Sequence, residues 1–164
     1  MQAGAARRLR ETELEAKQRL QFDRIQTANQ PHRQQVQEGD RFDPRAENEL
    51  GRLSLRGQIT QKEYMAGQEY ARRVGAYRAT IGGPNPLSGA GLGKGCNPEA
   101  CDPCRCREAR VAYMEIYDAL AQGRHARRIA MITNEVVIND AHINREGVWV
   151  LRLGLSNMAK YLRY

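Results

Sequence analysis

The chain has 164 residues, enough for one compact domain or two very small ones. Hydrophobic residues make up 41% and aromatics 6%, so a core is expected over part of the length only, beside a loose N-terminal arm and an unstructured middle. No apolar run approaches the length of a membrane span, and the start MQAGAARRLRETELEAKQRL lacks the apolar core of a signal peptide. A cytoplasmic protein with reduced thiols and no membrane partner is expected.

Lys and Arg number 26 against 19 Asp and Glu, a formal charge of +7. Most of these cations are Arg, whose planar fork offers phosphate paired donors and stays charged. Positive excess favours nucleic acid through counterion release, although a basic protein also stays soluble by charge alone. The excess is +2 over 1–30, +2 over 31–80, −1 over 81–103 and +4 over 104–164. Phosphate contact is therefore expected mainly in the last third.

Residues 5–28 read as a charged helix. Glu13–Lys17 and Glu15–Arg19 have the favourable i,i+4 order, while Leu14, Leu20, Phe22 and Ile25 are too sparse for a core face. This fits an arm or an oligomerisation helix. Residues 29–44, with Pro31, Gly39 and Pro44, read as a linker.

Residues 45–81 carry the clearest pattern. A helix over Ala46–Arg56 turns Leu50 and Leu53 inward and stops at Gly57. Thr60 opens a second helix, and Glu63 three residues later completes a capping box. Tyr64, Gly67, Tyr70, Ala71, Val74, Tyr77 and Ile81 then recur at helical spacing. Such a hairpin is either a helix-turn-helix, with Lys62, Arg72 and Arg73 facing a DNA groove, or an ordinary αα packing unit. The tyrosines suit a core better than a stacking platform.

Residues 82–103 break the pattern with GGPNP and a run of glycines. Residues 104–121 read as a helix with Ala109, Ala112, Tyr113, Ile116, Tyr117 and Leu120 apolar. Another apolar segment covers 124–138; its β-branched end EVVIND suits a short strand, and Asn139-Asp140 a turn. Residues 145–162 place Val148, Leu151, Leu155, Met158 and Leu162 at helical spacing, with Trp149 expected to anchor this helix to the others.

All four cysteines fall in a C-x4-C-x2-C-x-C cluster, Cys96, Cys101, Cys104 and Cys106. Four thiolates around a structural Zn²⁺ would staple a loop that cannot bury a core, with Lys94, Arg105, Arg107 and Arg110 offsetting their charge. The spacing departs from paired C-x2-C knuckles, and in a helix starting at Cys104 the i,i+2 positions do not share a face. A Cys₃His site using His32, His125 or His142, disulfides or uncoordinated thiols, and other metals are the alternatives.

Catalytic motifs are missing. SGAGLGKGC has Ser88 where a phosphate loop needs its first Gly and Gly95 where it needs Ser or Thr. The three histidines are scattered, and no serine sits in a nucleophile elbow. GRHARRIA, with Arg124, Arg127 and Arg128, is the best phosphate contact in the sequence.

The stretches Leu50-Gly51-Arg52-Leu53, Ile59-Thr60, Tyr64-Met65-Ala66-Gly67 and Leu153-Gly154-Leu155 resemble a family of small, largely uncharacterised phage and prophage proteins. The departure is Gln58, which separates Gly57 from Ile59. The resemblance implies a viral origin, and so a host cytoplasm, but no activity and no site residues.

The expectation is a mainly α protein in four parts: a charged helix and linker (1–44), a helical hairpin (45–81), a Gly/Cys-rich, zinc-bound loop (82–106) and a C-terminal helical bundle (107–164). It is read as a non-enzymatic regulator binding DNA, or DNA together with the transcription machinery. Expected contacts are Lys62, Arg72, Arg73, Arg105, Arg107, Arg124, Arg127 and Arg128. RNA polymerase or another host or phage protein, and self-association, are the further partners. The alternative is an assembly factor or host-factor binder that touches no nucleic acid.

Overall fold

Three helix starts are fixed by side chains that the sequence spells out. Asn48, Thr60 and Asn144 each stand in extended backbone just before a helix, and each accepts a hydrogen bond from the backbone N–H three residues on, at 2.8, 3.2 and 2.8 Å. At Thr60 the capping box is complete, because Glu63 accepts in return from the Thr60 N–H.

A computed structural model describes residues 2–81 and 103–164, with side chains described for 15–81 and 105–164. The described residues form α1 (Gln2–Ala28), three short 3-10 helices (Arg33–Gln35, Glu38–Phe42, Pro44–Glu47), α2 (Glu49–Leu55), α3 (Gln61–Thr80), α4 (Pro103–Leu120), α5 (Ala126–Val137) and α6 (Arg145–Tyr161). The protein is mainly α. Residues 82–102, the glycine-rich stretch with Cys96 and Cys101, lie outside the described residues.

The hairpin is as expected. Gly57 closes the turn at φ +66°, a backbone conformation costly for a side chain. Its first helix begins at Glu49 rather than Ala46, because the Asp43 carboxylate accepts from the Arg45 N–H and first winds Pro44–Glu47 into a 3-10 turn.

α3 is the central element. It packs against α6 and α4 and touches α2 and α5. Tyr70, Leu53, Ile116, Leu120, Val136, Leu151, Leu155 and Met158 are fully buried in one core shared by the hairpin and the C-terminal helices. Tyr70 also donates its hydroxyl to Asn134 Oδ1 at 2.9 Å, and burial pushes that hydroxyl's pKa upward. Helices approach closely at glycines: a Cβ on Gly67 would meet Leu50 and Leu155, and one on Gly154 would meet Leu120, Ile129 and Thr133.

A buried ionic cluster ties α2 to the α5–α6 turn. The Glu49 carboxylate, wholly inaccessible to water, accepts from Arg52 Nε (2.9 Å) and an Arg56 Nη (2.9 Å) and lies 3.0 Å from His142 Nδ1. The Arg52 guanidinium, also buried, reaches Asp140 at 3.5 Å and the Ala46 carbonyl at 3.3 Å. Asp140 holds φ +53° and accepts from the Glu49 N–H.

Three expectations are corrected. Residues 29–44 are not a bare linker: Arg33 is buried, donating to the Arg41 carbonyl (2.7 Å), the Asp43 carbonyl (3.3 Å) and Glu47 Oε1 (2.9 Å). EVVIND is helical through Val137, since Ile129, Thr133 and Val136 share one buried face and tertiary packing overrides β propensity. Trp149 does not anchor α6; it is 60% exposed. The buried stripe of α6 is Gly147, Val150, Leu151, Gly154, Leu155 and Met158, and position 149 falls on the opposite face.

α1 stands apart from this core. From Glu15 to Gln26 its side chains are exposed, and it packs chiefly on the first two 3-10 turns, with Arg24 over the Phe42 ring at 5.4 Å.

Candidate nucleic-acid interface

Exposed Arg side chains gather where α5 begins, and one of them reaches the start of α6. After α4, Gly123 turns the chain at φ +90° and exposes Arg124. His125 occupies the N-cap of α5 but makes no side-chain cap, and the first turn carries no acid. Arg127 and Arg128 occupy that turn instead, where the helix macrodipole is positive. Cations there work against the helix by roughly 0.3–1 kcal/mol each, a cost that an incoming anion removes.

Arg128 pairs with Glu146 at 2.6 Å, which joins this end of α5 to the first turn of α6. Arg124 and Arg127 are exposed, and no ion pair with a described residue engages them. Arg145 is exposed beside Glu146, and Trp149 follows one turn along α6. Arg152 comes next, half-exposed, with Nε 3.3 Å from Glu63 Oε1. Ser156 donates to the same oxygen at 2.8 Å. Burial pushes the Glu63 carboxyl up, but hydrogen bonds from the Thr60 N–H and Ser156 and the Arg152 charge outweigh it and hold the group below its ordinary value. Trp149, Arg152, Leu153, Ser156 and Glu63 line a shallow depression of about 260 Å³.

The other expected contacts are dispersed. Lys62 is exposed at the start of α3, next in sequence to Glu63. Arg72 is 64% exposed but holds Glu69 with two hydrogen bonds of 2.7 Å. Arg73 is only 15% exposed; it donates to Glu69 (2.8 Å) and to the Ala112 carbonyl (3.0 Å) and lies over the Tyr161 ring. Its place is inside the α3–α4–α6 junction. Arg105 and Arg107 are exposed near the start of α4, and Arg124 follows that helix's end, so most of α4, ~20 Å of rise, separates the two groups.

Of the proposed metal ligands, Cys96 and Cys101 lie outside the described residues. Cys104 and Cys106 are both in the first turn of α4, and Cys106 is half-buried. Among the described residues no group of three or more His, Cys, Asp or Glu is placed to hold a metal. His142 is engaged with Glu49 instead.

Sequence reasoning missed Arg145, Trp149 and Arg152 as one surface. The signal was present: the three fall at i, i+4 and i+7, off the apolar stripe of the same helix. It also missed the Glu49–Arg52 pair, whose i,i+3 spacing sits between the inward Leu50 and Leu53. Compared with protein-family models, curated proteins and solved structures, the chain matches none.

Proposed function

We propose that this chain is a non-enzymatic nucleic-acid-binding protein, a phage-type regulator that acts on DNA or on DNA together with the transcription machinery. The observation behind this reading is the start of α5, which lacks a side-chain cap, where Arg124 and Arg127 are exposed without ion-pair partners among the described residues and Arg128 reaches Glu146, next in sequence to the exposed Arg145. These groups make no described contribution to the fold, and their positive charge at a helix N-terminus favours phosphate.

The test is binding of labelled DNA by fluorescence anisotropy. Reversing both charges, Arg124→Glu with Arg127→Glu, is expected to weaken binding at least ~tenfold at low salt while leaving the melting temperature intact. Undiminished binding by a folded double variant overturns the assignment of this face.

A structural zinc on Cys96, Cys101, Cys104 and Cys106 is the second element of the proposal and rests on the sequence cluster alone. Purified protein then carries one equivalent of zinc and loses melting temperature on chelation. Metal-free protein with four reactive thiols removes this element.

A second reading, assembly without nucleic acid, is favoured by α1, which exposes Leu20, Phe22 and Ile25 on a helix standing off the core. It predicts an oligomer in light scattering that Phe22→Glu converts to a monomer. A monomeric wild-type protein counts against it.

A further inference from the structure

Resting on the reading that the α5–α6 face takes nucleic acid, we propose that the strand bound there is single-stranded, with one unpaired base stacked on the Trp149 indole between Arg145 and Arg152. Arg145, Trp149, Arg152, Ser156 and Lys160 recur along the outer ridge of α6 at helical spacing, opposite its buried stripe. Trp149 is the only tryptophan of the chain, and it is left 60% exposed. A large aromatic left mostly in water gains little burial energy from the fold, whereas a base laid on its face covers it. The bases of a duplex already stack on one another and present only their edges. An indole on a helix ridge is therefore matched to a base that has left the stack.

The charges on the ridge select a polyanion over an apolar partner. Arg145 and Arg152 are ~10 Å apart along the helix axis on either side of Trp149, so each can meet a phosphate flanking the stacked base. Arg128 ties the start of α5 to Glu146 in the first turn of α6, and the exposed Arg124 and Arg127, close to Arg128 in sequence, add positive charge there. The acids nearest the ridge are already engaged, Glu146 by Arg128 and Glu63 by Arg152, Ser156 and the Thr60 N–H. Depth for the base is supplied beside the indole by the depression that Arg152, Leu153 and Ser156 share with Trp149.

Because the chain has one tryptophan, its emission reports on this residue alone. The full-length protein is titrated with an oligothymidylate of ~10 nucleotides and with a duplex of equal length, following Trp emission and, in parallel, the anisotropy of labelled strands. The single strand is expected to quench the emission and to bind at least ~tenfold tighter than the duplex. Trp149→Ala is expected to weaken single-strand binding ~tenfold or more at an unchanged melting temperature, and Trp149→Phe to recover most of the loss. Single-strand binding without quenching, equal affinity for the duplex, or an indifferent Trp149→Ala each overturn the stacking proposal. If the Arg124/Arg127 reversal still abolishes binding in those cases, the function proposed above survives alone. If neither nucleic acid binds at low salt, both fall.

Discussion

Glu49→Gln is the substitution that most directly tests how the N-terminal half is fastened to the C-terminal helices. In the native protein the Glu49 carboxylate is fully buried and neutralises Arg52, whose guanidinium is 4% exposed. Gln keeps the shape, but it removes the charge and turns an amide N–H₂ toward a cation. Arg52 is then left with Asp140 at 3.5 Å and the Ala46 carbonyl at 3.3 Å. Removing one partner of a buried pair costs about 3–5 kcal/mol, because the remaining charge stays out of water. The lower end applies here, since Arg56 is 26% exposed and His142 is 63% exposed, and both can recover hydration. About 3 kcal/mol is a large share of the ~5–15 kcal/mol that holds a domain together. Urea denaturation followed by circular dichroism reads the change as a shift in midpoint at constant slope. Arg52→Met combined with Glu49→Gln should recover part of the loss, since no buried charge is then left alone. A Glu49→Gln variant within ~1 kcal/mol of wild type would refute the claim that this cluster clamps α2 to the α5–α6 turn.

Two further outcomes follow from packing and charge. Gly154→Ala places a methyl 2.6 Å from Leu120 Cδ1, 2.7 Å from Ile129 Cγ2 and 2.9 Å from Thr133 Oγ1. All three neighbours are buried, so overpacking should cost ~1–3 kcal/mol, lowering the melting temperature by roughly 2–4 °C per kcal/mol in a calorimetric scan. Hydrogen bonds from Arg72, and then from Arg73, hold the Glu69 carboxyl down to about 2. The folded-state value lies below the ordinary 4.5, so this pairing stabilises the protein above pH 4.5 and is lost as pH falls toward 2. With Arg72 well exposed, the contribution is at most ~1 kcal/mol, and Glu69→Gln should flatten the acid limb of a stability–pH curve by that amount.

The elements that the sequence made legible are those with local chemistry. Asn48, Thr60 and Asn144 cap helices through their own side chains, and Gly57 needs a left-handed turn; neither depends on the rest of the fold. The repeated apolar positions of α3, α4 and α6 likewise announce their inward faces. What stayed hidden depends on distant partners. Arg33 reads as a linker residue until the 3-10 turns bring the Arg41 and Asp43 carbonyls to it. Arg73 reads as a surface cation until α4 places the Ala112 carbonyl 3.0 Å away. Gly51, Gly67 and Gly154 prove to be points of close contact: a Cβ on Gly51 would collide with the Arg45 carbonyl, and the other two sit at helix crossings. Those glycines therefore speak for packing. Trp149 was misjudged because size and hydrophobicity alone suggest burial, whereas the phase of the α6 stripe turns it outward.

The most direct test of the cationic face is the slope of log Kobs against log salt for DNA binding. Each phosphate contact that is lost should flatten this slope by ~0.7–0.9, so neutralising both Arg124 and Arg127 with Gln should flatten it by about 1.4–1.8. A folded double variant whose slope equals that of the wild type would show that phosphate is bound elsewhere, or not at all.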